Sequence, residues 1–139
     1  MTMSSATGGS LSGQLRQVSQ PAVDLDRAIG FYCDILGLRL IARYGDLSFF
    51  DLDGTRLLLE RGGTSQGSSV LYLDVSDLDN AWRELTNRGV SFVEPPHTIF
   101  TDAEGTFGPA GEDERMAFFH DTEGNLLALS SREPTRVHL

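Results

Sequence analysis

Few side chains in this sequence combine a reactive type with a setting that could use it. His97 follows Pro95 and Pro96, whose locked φ angles fix where the imidazole leaves the backbone. His120 lies two residues beyond Phe118 and beside a turn, where a bond to the backbone would also account for it. Glu60 closes the apolar run TRLLLE. There it reads either as the solvated end of a strand or, with His97, as one half of a base and acid pair. Cys33 is the only cysteine; it falls beside the buried stripe of a helix, where packing explains it better than reactivity. No GxGxxG follows a strand, and no phosphate loop occurs, so nucleotide chemistry leaves no trace.

The totals narrow the field further. Eleven basic against twenty acidic residues give a net charge of −9, the wrong sign for a nucleic-acid binder, which relies on clustered Lys and Arg. The acidity suits solubility first and a cationic small ligand second. A lone cysteine allows no disulfide within the chain, so a cytoplasmic location is expected. No apolar run approaches the roughly 18–20 residues that span a bilayer, so no membrane partner is expected. Residues 1–14, MTMSSATGGSLSGQ, read as a flexible tail.

The elements that must position these residues come twice. LRQVSQPAV has strand character, and Asp24 can cap a helix whose stripe is Leu25, Ala28, Ile29, Tyr32 and Leu36, stopped by Gly37. LRLIARYG, DLSFFDLDG and TRLLLERGG then read as three strands joined by turns. The order recurs in SSVLYLDV, an Asp77-capped helix (Leu78, Ala81, Trp82, Leu85) ended by Gly89, and the strands VSFVEP, ERMAFFHD and NLLALSS. DLDRA at Asp24 answers DLDNA at Asp77 at an offset of 53, and FFDLDG answers FFHDTEG at an offset of 70. The second copy therefore carries a 17-residue insertion. A long loop over residues 95–114, rich in Gly, Pro and acids, is its expected place, covering one mouth of the fold. The expectation is an α+β domain over residues 15–132 with a tail at 133–139. Its two βαβββ modules, about 15–62 and 68–132, would pair their sheets into one cupped surface.

QVSQPAVDLDRAIGFYCDILGL and HDTEGNLLAL resemble the opening and closing segments of the vicinal oxygen chelate superfamily, which contains glyoxalases, bleomycin-resistance proteins and extradiol dioxygenases. That resemblance implies a divalent metal held from the first and last strand of each module. The donors would lie seven residues before each capping Asp and four after each turn Gly. The four positions are Gln17, Leu58, Val70 and Ala128. Only Gln17 offers a lone pair, and one neutral amide cannot hold an ion stripped of water. No cofactor is expected unless a two-residue slip brings Glu60 inward to join Gln17 with His97 or His120. Phe118 stands where metal-using relatives often place a tyrosine hydroxyl, and it cannot donate.

What remains on that surface, by alternation, is Gln17, Ser19, Leu58, Val70, Tyr72, Met116, Phe118 and Ala128, with His97 beside them. Gln17, Ser19, Tyr72, His97, Met116 and Phe118 are the candidate ligand contacts, and Tyr72 and Phe118 could stack on a planar molecule. Leu58 and Val70 read better as core packing. The resemblance further implies a homodimer. The leading expectation is metal-free binding of a small organic molecule, of the sequestration or resistance type. The alternative is a metal-dependent lyase, isomerase or dioxygenase using a relocated site with Glu60 and His97. Whether the chain is an enzyme stays open at this point.

Overall fold

The computed structural model describes residues 13–62 and 69–135. The expected N-terminal tail lies outside these residues except for its last two positions, as does 136–139 of the expected C-terminal tail. The first module runs β1 (Gln17–Ala22), α1 (Leu25–Gly30), β2 (Arg39–Tyr44), β3 (Leu47–Leu52) and β4 (Thr55–Arg61). The second runs β5 (Leu71–Asp74), α2 (Leu78–Asn87), β6 (Phe92–Asp102), β7 (Glu112–His120) and β8 (Leu126–Pro134). This is the doubled βαβββ order of the α+β reading. The strands form two four-stranded mixed sheets, β1-β4-β3-β2 and β5-β8-β7-β6. In each, the strand before the helix pairs in parallel with the last strand of its own module.

Both caps fall where the sequence placed them. The Asp24 carboxylate accepts from the Arg27 N–H, and the Asp77 carboxylate from the Asn80 N–H, satisfying donors that each helix start leaves open. The stripe after Asp24 does not follow one pitch, however. α1 passes into a π-helical turn over Phe31–Ile35, where the Leu36 N–H donates to the Phe31 carbonyl five residues back. The wider turn lets two consecutive aromatics be buried in different directions. Phe31 meets Phe119 of the second module at 6.4 Å between ring centres, while Tyr32 packs on Phe50 of the first at 5.5 Å.

Alternation along the strands divides each sheet into two faces. Ala22, Leu57, Leu59 and Phe50 of the first sheet and Ala117, Phe119, Leu127 and Leu129 of the second face inward. With Leu25, Ala28, Leu78 and Leu85 from the helices they form one continuous core. The helices pack on the face of the sheets that carries this core, as expected of the doubled α+β fold. The outer faces of the sheets look away from the shared core.

Polar contacts lock the modules together where the second module's β7–β8 turn meets the start of α1. Glu123, with a fully buried side chain, accepts from the Val23 and Asp24 N–H groups at 2.8 and 2.7 Å and from Arg27 Nε at 2.9 Å. Burial alone would raise its pKa. The Arg27 guanidinium, the two backbone donors and the Thr122 hydroxyl outweigh burial and hold it at about 2. Behind it the buried Tyr32 hydroxyl donates to Asp121 at 2.7 Å, and Asn125 bridges Asp121 to the Pro21 carbonyl. Burial first, and the Asp121 carboxylate second, push the Tyr32 phenol well above its ordinary range.

The expected 95–114 loop is a correction. Residues 92–102 and 112–120 are strands β6 and β7, leaving only 103–111 as a turn. Pro95 and Pro96 had argued for a loop because proline donates nothing to a ladder. β6 is an edge strand whose pairing with β7 shifts register between Glu94 and His97, so the missing N–H groups leave no pairing unmet. The insertion thus lengthens a hairpin. At the other end β8 continues through Pro134, two residues past the expected domain boundary.

Candidate functional site

The predicted site residues fall on the outer faces, opposite the helices, and strand register arranges them in rows. On the first sheet Ser19, Leu58 and Phe49 lie side by side across β1, β4 and β3. The row toward the start of β1 holds Gln17, Arg56 and Asp51, and the row toward its end holds Pro21, Glu60 and Leu47. On the second sheet Tyr72, Ala128, Phe118 and Glu94 form one row across β5, β8, β7 and β6. The next holds Asp74, Ser130, Met116 and His97, and the one after it Arg132, Glu114 and Phe100.

The first sheet brings Gln17 and Ser19 together, both exposed, with Leu58 half-buried between its neighbours. Register is regular there, so the two-residue slip that would turn Glu60 into the Leu58 place does not occur. The Gln17 amide oxygen already accepts from Arg56 Nε at 2.9 Å. A metal at the inherited position would meet that engaged amide, a neighbouring guanidinium, and the aliphatic Leu58, Val70 and Ala128. These residues do not fit the ion. Glu60 belongs to the first sheet and His97 and His120 to the second, and among the described residues no three His, Cys, Asp or Glu side chains stand close enough to share a metal.

The second sheet assembles its candidates more fully. Tyr72, which is 56% exposed, meets Phe118 edge to face at 6.4 Å. Met116 and His97 are cross-strand neighbours one row away. His97 Nδ1 lies 2.8 Å from the Pro95 carbonyl, which can only accept. Nδ1 therefore carries a proton.

Two features of this face had no sequence signal strong enough to find them. Arg132 donates to Glu112, Glu114, Asp102 and the Pro109 carbonyl. Asp102 in turn accepts from the Thr106 and Phe107 N–H groups at 2.8 Å each. The Phe107 N–H, and then Thr106 and Arg132, lower the Asp102 pKa against the opposing effect of burial. This hub holds the 103–111 turn so that Phe107, 71% exposed, rests edge-on against Phe100 at 5.8 Å. Only the turn composition of the segment was visible beforehand.

A separate cleft of about 900 Å³ opens along the seam between the modules, on the helix side. Val18, Leu36, Leu52, Leu71, Leu73 and Leu85 line it, and of the predicted site only Val70 and Tyr72 reach its edge. The Gln20 amide spans part of this seam, donating to the Ser69 carbonyl at 2.8 Å.

Paired βαβββ modules, each a four-stranded mixed sheet with its helix, define the class of fold. The chain belongs to the glyoxalase/bleomycin resistance protein/dioxygenase superfamily, whose family model matches residues 14–129. Among solved structures it is similar to a glyoxalase/bleomycin resistance protein/dioxygenase from Alicyclobacillus acidocaldarius, at 25% identity and TM-score 0.64 over 88% of this chain and 94% of that one. A Nocardioides protein of the same description matches at 18% identity and TM-score 0.69, over 96% and 95% of the two chains. The lactoylglutathione lyase of Agrobacterium tumefaciens matches at 19% identity and TM-score 0.69, over 86% and 93%. These likenesses concern the fold. No curated protein matches the chain.

Proposed function

We propose that this protein binds a small organic molecule without a metal, as a sequestering or resistance-type member of its superfamily. The observation that carries this reading is the pairing of a donor-poor inherited site with an organised aromatic face. Gln17 is held by Arg56 and Leu58, Val70 and Ala128 offer no lone pair, while Tyr72, Phe118, Met116 and His97 lie together on one sheet. An apolar surface with a few convergent polar groups suits an organic ligand. The reading includes a homodimer in the cytoplasm. Each outer face is half of a cup, and a second copy could set Gln17, Ser19 and Leu58 against the Tyr72 and Phe118 of the first. Nucleic acid and membrane are not expected partners, and no described helix is long and apolar enough to cross a bilayer.

The test is a thermal-shift screen of planar aromatic and cationic compounds, run beside elemental analysis and titration with Ni, Zn, Mn and Fe(II). A compound present at a hundred times its Kd stabilises the fold by roughly 2.7 kcal/mol and raises Tm visibly. The proposal predicts such a compound, whose effect is weakened in Tyr72→Ala, and no stoichiometric metal. Micromolar metal binding that disappears in Glu60→Ala or His97→Ala would establish the lyase, isomerase or dioxygenase alternative instead.

A further inference from the structure

The outer face of the second sheet carries two aromatic pairs. Tyr72 and Phe118 stand at one end, and Phe100 and Phe107 at the other. Phe118 and Glu114, the cross-strand neighbour of Phe100, are four residues apart on β7. At the rise of an extended strand that separation is about 13 Å. Between the pairs lies the row of Asp74, Ser130, Met116 and His97. The Asp74 side chain is exposed and has no hydrogen-bond or ion-pair partner among the described residues. His97 lies in the same row. The only base in the neighbouring row, Arg132, is spent on Glu112, Glu114 and Asp102.

Three of these four rings remain well exposed, Phe100 at 38% together with Tyr72 and Phe107. A ring held in place yet left open to solvent offers a preorganised surface for another flat group. The turn bearing Phe107 is not loose. The Asp102–Arg132 hub braces it, and Gly108 packs so closely under the Arg132 guanidinium that an added Cβ would lie 2.7 Å from Nε.

The Tyr72–Phe118 pair spans β5 to β7 and Phe100 lies on β6, so the pairs are also offset by about 10 Å across the strands, and from this spacing we infer that the ligand has two planar aromatic groups about 16 Å apart, joined by a spacer with a protonated amine facing Asp74. One flat group rests on Tyr72 and Phe118, the other on Phe100 and Phe107, and the amine lies over the central row. This rests on the proposed binding function and adds the shape and charge of what is bound.

The experiment compares a hexane diamine carrying naphthylmethyl groups on both ends with the same chain carrying one, by calorimetric titration of the full-length protein. The two-headed compound is expected to bind at least tenfold more tightly. Phe107→Ala and Tyr72→Ala, both at exposed positions, should each reduce it to the affinity of the one-headed compound. Asp74→Asn should weaken the two-headed diamine several-fold while leaving its uncharged diamide analogue unchanged. Equal affinity of the one- and two-headed compounds would overturn the two-pair reading and leave the binding function standing. Absence of binding by both would count against both proposals, and indifference of the two-headed compound to Phe107→Ala would remove the second aromatic pair from the site.

Discussion

Replacing Glu123 by Ala tests whether the two modules are held by the polar clasp or by the core alone. The substitution removes one carboxylate that accepts from two backbone N–H groups and from a guanidinium. Holding this carboxyl at about 2, against 4.5 for an ordinary glutamate, corresponds to roughly 3 kcal/mol. Arg27 is half-exposed, so water and salt screen its share, and about 1–2 kcal/mol is the expected cost at neutral pH. The carboxylate's pKa is lower in the folded than in the unfolded chain. Its contribution is therefore complete above pH 4.5 and fades as pH falls toward 2. Urea unfolding of the wild-type protein and Glu123→Ala, at steps between pH 7 and pH 2.5, reads this directly. The stability gap should narrow steadily below pH 4.5. A gap under about 0.3 kcal/mol at pH 7, or one that stays constant into acid, would refute the argument, since surface substitutions commonly vary by that much.

Three other predictions concern the frame that holds the candidate face. Tyr32→Phe leaves Asp121 without one buried donor and should cost about 1–2 kcal/mol, measured by chemical denaturation. Because burial and Asp121 raise the Tyr32 phenol, the folded chain keeps that proton as pH climbs past the ordinary phenol range. Stability should then fall above about pH 10, with the fall absent in Tyr32→Phe. Phe119→Ala empties a fully buried site touching Phe31 and Phe92, and a loss of about 3–5 kcal/mol in denaturant unfolding is expected. Gly108→Ala forces the Arg132 guanidinium away from the turn; hydrogen exchange at Thr106 and Phe107 should quicken while the strands stay protected.

The helix caps, the doubled order and the alternation of the strands were legible because each depends on neighbours in the sequence. Asp24 and Asp77 sit before apolar stripes, and the period of two assigned Gln17, Ser19, Tyr72 and Phe118 to one face of each sheet. Three things were not legible. Prolines at 95 and 96 punctuate a loop and a bulged edge strand alike, and only the pairing with β7 distinguishes them. Which helix residue reaches across to the other module depends on Phe31 meeting Phe119, a contact 88 residues apart in the numbering. Arg56 and Arg132 gave no local pattern, since their partners come from other strands.

The five-residue turn at Phe31–Ile35 makes the module junction sensitive to length rather than to composition. Removing any single residue there would let the helix relax to its ordinary pitch and turn everything beyond it by about 100°. Leu36, a wall of the interior seam, would swing off it, and Phe31 and Tyr32 could no longer serve opposite halves. One lost codon at that place should separate what many side-chain exchanges would leave joined.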